Sequence, residues 1–170
     1  MYSINDTILY GTHGVCKISE IAEKEFMGTI KEYYVLKPLN SAGSTFFVPV
    51  GSEKAEKKMR RILSEEEIYE LIRTMPQEDA VWIDNENERK EQYRTIIAEG
   101  DRIELIRMIK ALYYQKKKRE AEGKRLYLSD ERFFHEAERI LYDEFQYVLN
   151  VGKDELLPMI FEEIQKSEVS

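Results

Sequence analysis

Along the first 50 residues apolar and polar side chains alternate in short runs, and from about residue 52 the apolar spacing lengthens to three and four. A period of two lines one face of a strand, whereas a period near 3.6 lines one face of a helix. Thr7-Ile8-Leu9-Tyr10, Val15 to Ile21, Glu32 to Lys37 and Thr45 to Val50 therefore read as strands. Gly11-Thr12-His13-Gly14 and Asn40-Ser41-Ala42-Gly43-Ser44 read as the turns between them, and Gly28 falls where a hairpin needs positive φ. Spacings of about ten residues predict a small, strongly bent sheet or open barrel. Pro49 lacks a ladder donor and belongs at an edge or a strand end.

The helical half carries its own punctuation. Ser64 followed by Glu67 is a capping box, Ile68, Leu71, Ile72 and Met75 repeat at helical spacing, and Pro76 stops the run. A polar connector from about 76 to 87 holds Trp82, the only tryptophan. A helix is predicted from about Asn87 to Glu99, closed by Gly100. Asp101 caps the next one, with Ile103, Ile106, Ile109 or Lys110, and Tyr113 on one face and Gly123 at its end. Ser129 caps another, carrying Phe133, Phe134, Ala137, Ile140, Leu141, Phe145 and Val148. A last amphipathic helix uses Leu156, Leu157, Ile160, Phe161 and Ile164. The expected class is α+β: a β domain over 1–52, with a boundary up to about 60, then an all-α domain over 53–170.

Composition narrows the function. The chain of 170 residues is 42% hydrophobic, enough for a core, and has one cysteine and two histidines. A single Cys16 excludes an internal disulfide, and His13 and His135 form no metal-binding spacing. His13 and Cys16 lie three apart but lack a third orienting group, so a turn histidine and a small buried thiol are the plainer reading. Neither GxGxxG nor GxxxxGK[ST] occurs. No catalytic motif survives, no cofactor is implied, and no run approaches the ~18 apolar residues of a membrane span. The expectation is a non-enzymatic protein of the cytoplasm.

Charge is uneven within a net of −7. Residues 76–100 balance to −4, residues 101–125 to +5, and residues 126–150 to −4. The basic island is Arg102, Arg107, Lys110, Lys116, Lys117, Lys118, Arg119, Lys124 and Arg125, with Tyr113, Tyr114 and Tyr127 interleaved. It reads either as a solvated helix face or as a phosphate-facing surface with salt-dependent affinity. Trp82 is equally two-sided: a plug pinning the connector to its own core, or an apolar wedge held outward for a partner.

Asp6-Thr7-Ile8-Leu9-Tyr10-Gly11-Thr12-His13-Gly14-Val15, Lys31 to Lys37, and Phe47-Val48-Pro49-Val50 together resemble the CarD-like (CarD/CdnL) family of bacterial transcription regulators. Arg89 to Asp101, and Leu128-Ser129 with Arg132 and Ala137 to Leu141, resemble its C-terminal helices. The resemblance implies a Tudor-like β module that binds the β subunit of RNA polymerase and is shared with a transcription-repair coupling factor. It further implies a helical domain on promoter DNA at the upstream edge of the melted region, where a tryptophan wedge in the minor groove stabilises the open complex. The positions so implied are Lys24, Phe26, Phe47 and Pro49 for polymerase. For DNA they are Trp82, Arg89, Lys90 and Arg132, together with Lys124 and Arg125 of the basic island. Phe47 stands where the family often has arginine, and Glu131 and Glu136 flank Arg132 where basic residues are common. A polymerase adaptor without direct DNA contact is the alternative.

Overall fold

The computed structural model describes all residues but 78, 81 and 170, and all side chains but those and residues 164, 165 and 167–169. The helical-face assignment of Ile164 thus lies outside the described residues. Two compact units result, Met1–Ile62 and Leu63–Ser170.

The first unit is a five-stranded antiparallel sheet in the order β4-β3-β2-β1-β5, with β1 Thr7–Tyr10, β2 Val15–Phe26, β3 Thr29–Pro38, β4 Phe46–Pro49 and β5 Met59–Arg61. A one-turn helix, α1 (Glu53–Glu56), capped by the Ser52 side chain, leads into β5. Because β5 pairs with β1, the sheet runs past residue 52, where the apolar period changes. The β2–β3 hairpin turns on Met27 and Gly28, with φ of 52° and 80°. That is the pair of positive angles a two-residue turn of this twist requires.

Strand β2 continues to Phe26, five residues beyond the Ile21 expected from alternation. The register slips between Ile18, paired with Leu36, and Glu20, paired with Val35, leaving Ser19 as a bulge. One extra residue exchanges the faces of everything after it. Cys16 and Ile18 point into the core before the slip, and Ile21 does so after it. The core joins them with Ile8, Tyr34, Leu36, Val48 and Met59.

The second unit contains α2 Glu65–Thr74, α3 Glu86–Glu99, α4 Arg102–Ala121, α5 Leu128–Leu149 and α6 Lys153–Val169. Local signals place most of the ends. Ser64 Oγ accepts from the Glu67 amide and Glu67 Oε1 from the Ser64 amide, both at 3.1 Å. Asp101 Oδ1 accepts from the Glu104 amide at 3.0 Å, and Gly100 closes α3 at φ 67°. Since the capping box ties down two otherwise unpaired amides, Ser64→Ala is expected to lower stability by about 1 kcal/mol. Chemical denaturation of the full chain measures this loss.

Two expectations need correction. Ser129 does not cap α5: the helix begins at Leu128, its N-cap is Tyr127, and no side chain closes that cap. On α4 the buried positions are Leu105, Ile106, Met108, Ala111 and Leu112, while Tyr113 is exposed. The reason is that α4 serves two clusters at once. Leu105, Met108 and Leu112 join Tyr93, Ile96, Phe134, Ala137 and Ile140, whereas Ile106 joins Ile68, Ile72, Leu141, Phe145, Leu156 and Ile160. A helix buried on two sides has no single stripe to read.

Candidate polymerase and nucleic-acid surfaces

Residues opposite one another in an antiparallel ladder share a face. The register pairs Ala22 with Tyr33, Lys24 with Lys31, Tyr33 with Pro49 and Val35 with Phe47. Lys24, Phe26, Tyr33, Phe47 and Pro49 therefore lie on one side of the sheet, opposite the core side that carries Ile21, Tyr34 and Val48. The four residues expected to meet polymerase are thus brought together. Phe26 and Phe47 are 43% and 41% exposed, large values for phenylalanine. Their rings meet at 5.6 Å, and Tyr33 stands edge-on to both at 5.1 and 6.4 Å. Tyr33 was not anticipated, since an aromatic in mid-strand reads first as core. Lys24 lies 3.8 Å from Glu20 on the same strand. Strand β4 is one edge of the sheet, so the patch lies at a sheet edge.

Elsewhere in this unit, His13 stacks on Tyr10 and lies 4.1 Å from Phe46, while Cys16 is fully buried with its thiol against the Gly14 carbonyl at 3.7 Å. Among the described residues no group of acidic, histidine and cysteine side chains is placed to hold a metal ion.

In the helical unit Trp82 is half-buried and packs against the cluster of α3, α4 and α5. Directly beneath it is Arg89, whose guanidinium carbon sits 4.4 Å from the centre of the indole. Arg89 does not reach the surface as the resemblance implied. It is 2% exposed and makes a two-pronged pair with Asp130, Nε to Oδ1 and Nη2 to Oδ2, both at 2.9 Å. Its Nη1 donates to the Ile83 carbonyl at 2.9 Å and to that of Asp84 at 3.3 Å. An arginine so deeply buried, with its charge balanced by Asp130, is not placed to meet a phosphate. Asp130, 0% exposed, was missed because an acid in the first turn of a helix ordinarily serves the helix end.

Around Trp82 the surface is acidic: Asp79, Asp84, Glu86 and Glu88 are all exposed. Lys90 pairs with Glu86 at 3.0 Å, and that ammonium holds the Glu86 carboxyl below the usual carboxylate range. Nearby, burial pushes the Tyr93 hydroxyl up to about 12, so it stays a neutral group at any physiological pH.

The basic island divides into spent and available charge. Arg102 grips the buried Glu144 through Nε and Nη2, each at 2.7 Å, and Lys110 donates to the carbonyls of Met75 and Pro76. Arg107 pairs with Glu104. Arg119 folds back on the end of α4, donating to the Arg125 carbonyl and stacking on Tyr127 at 4.4 Å. The Lys116, Lys118, Lys124 and Arg125 side chains face solvent. Lys116 and Arg125 meet at a groove of about 230 Å³ shared with Glu120, Glu131, Phe134 and His135. Arg132 is exposed, but its neighbours Glu131 and Glu136 engage His135 and Arg139. The cationic surface is consequently smaller than the sequence total indicates.

Residues 2–63 match the family model described as the CarD-like/TRCF RID domain, a span that takes in all five strands of the sheet. No curated protein matches the chain. No described helix is long and apolar enough to cross a membrane.

Proposed function

From the premise that the first unit is a CarD-like/TRCF RID domain, the protein-interaction module of an RNA polymerase-interacting transcription factor family, we propose that this chain docks on the polymerase β subunit and presents Trp82 to promoter DNA. The observation carrying the reading is the gathering of Lys24, Phe26, Tyr33, Phe47 and Pro49 on the outer face of that domain. Exposed aromatic rings in contact with one another lose little conformational entropy when they bind, and they favour a protein partner.

The helical unit would then act on DNA by proximity. A net charge of −7, with much of the basic island engaged internally, makes autonomous DNA affinity poor. Tethering through polymerase raises the local concentration of Trp82 at the promoter to roughly the millimolar range. A wedge that fits the melted form better than the duplex shifts the population towards open complex, with no chemical step. The minor groove at the upstream edge of the bubble is the proposed target, and Lys90, Lys124, Arg125 and Arg132 supply the phosphate contacts.

The test is open-complex lifetime. Trp82→Ala is expected to shorten it roughly tenfold, the equivalent of ~1.4 kcal/mol. Retention on immobilised polymerase should be unchanged. An unaltered lifetime would sink the wedge. The exposed acids Asp79, Asp84, Glu86 and Glu88 motivate a second reading, in which the connector meets a protein surface and not DNA. Under that reading the activity would survive neutralisation of Lys124 and Arg125 and would not change with salt.

A further inference from the structure

We infer that Arg89 is the positioning residue of Trp82: its guanidinium, locked by Asp130, forms a fixed shelf that holds the indole and the connector in one arrangement. The inference rests on the wedge reading for its functional consequence, though the shelf itself does not.

The donors of Arg89 are divided between two tasks. Nε and Nη2 fasten the side chain to Asp130, so the guanidinium plane takes its orientation from α5. Nη1 holds the carbonyls of Ile83 and Asp84, the two residues immediately after Trp82. The flat face of the same group meets the indole at 4.4 Å. Ring and backbone are thereby referenced to one rigid plane, and that plane is shielded from water. A planar cation with fork geometry can meet all these demands together; a lysine ammonium, a point charge without a flat face, cannot.

The arrangement also accounts for a buried charge pair in a unit with ample apolar packing. Such pairs add little stability over apolar residues of similar volume, so what this pair contributes in particular is the geometry it imposes on Trp82 and the connector. For a half-buried tryptophan on an irregular connector, that duty is pre-organisation. An indole already fixed in its binding orientation loses less freedom on contact than one that swings.

Because Trp82 is the only tryptophan, intrinsic fluorescence of the full-length protein reads its environment directly. The variants are Arg89→Lys and, to avoid stranding a buried charge, the paired Arg89→Met with Asp130→Leu; circular dichroism checks that each is folded. In both, the emission maximum is expected to move to longer wavelength and acrylamide quenching to rise, with the paired variant keeping a cooperative melt. An unchanged emission and quenching in a folded paired variant would overturn the shelf. At the promoter, the paired variant is expected to lose most of the open-complex lifetime lost by Trp82→Ala. If Trp82→Ala shortens the lifetime and the paired variant does not, Arg89 is not a positioning residue for the wedge. If Trp82→Ala has no effect, the wedge reading fails, and fluorescence alone still decides for or against the shelf.

Discussion

Asp130→Ala is expected to destabilise the helical unit by about 3–5 kcal/mol, the usual cost of stranding one member of a buried ion pair. The side chains of Arg89 and Asp130 are 2% and 1% exposed, so removing the carboxylate leaves a cation with neither water nor a counter-charge. Two charge-assisted hydrogen bonds at 2.9 Å disappear with it. For a unit of this size the loss corresponds to a fall in Tm of roughly 10 °C or more. Scanning calorimetry of the full chain would resolve it as a change in the transition of the helical unit. The contrast with surface pairs is large. Arg139 and Glu136, 48% and 39% exposed, approach to 2.6 Å, yet their separation should cost no more than about 1 kcal/mol. Distance alone is a poor guide here, because desolvation decides the outcome. By the same logic, replacing both Arg89 and Asp130 with apolar residues should cost far less than replacing Asp130 alone. If Asp130→Ala melted like the wild type, water would have to reach the pair, and the buried shelf would be wrong.

The two periods along the chain separate four of the five strands from the long helices because strands and helices repeat differently, but β5, three residues paired with β1, falls beyond the change of period and is too short to show one. Most helix ends were legible for a local reason: Ser64, Gly100 and Asp101 act within one turn of where they stand. What was not legible depended on distant partners. Alternation ends β2 at Ile21 because the hairpin continues past the core: Glu23 to Phe26 pair with the exposed Thr29 to Glu32, so no buried face is left to mark the strand. The α4 stripe was misplaced because two clusters claim that helix. Asp130 looked like part of a helix start, yet its carboxylate crosses to Arg89, 41 positions earlier in the chain. Family resemblance points to Lys24, Phe26, Phe47 and Pro49 without showing that they share a face, since register is a property of the folded sheet. It also marked Arg89 as a contact residue. A buried arginine and an exposed one give the same letter, and only the position of its partner distinguishes support from contact.

Phe47→Ser should weaken polymerase binding by roughly 30-fold or more, the range of an interface residue worth at least ~2 kcal/mol. Phe47 lies on the edge strand with its ring half-exposed and in contact with Phe26 and Tyr33, so it contributes to a preassembled apolar patch and little to the core. The unit should therefore keep its melting temperature, which separates lost binding from lost folding. Chemistry also fixes the salt dependence. An aromatic contact gains from apolar area removed from water, and added salt does not screen it. The contribution of Lys24, an exposed cation already near Glu20, should fade as salt rises. Affinity for the β subunit at low and high salt would thus show a large, salt-independent loss for Phe47→Ser and a smaller, salt-dependent one for Lys24→Ala. Combining Phe26→Ser with Phe47→Ser should cost less than the two losses added, because each ring already forms part of the other's support. Binding unaffected by Phe47→Ser would overturn the proposed docking face.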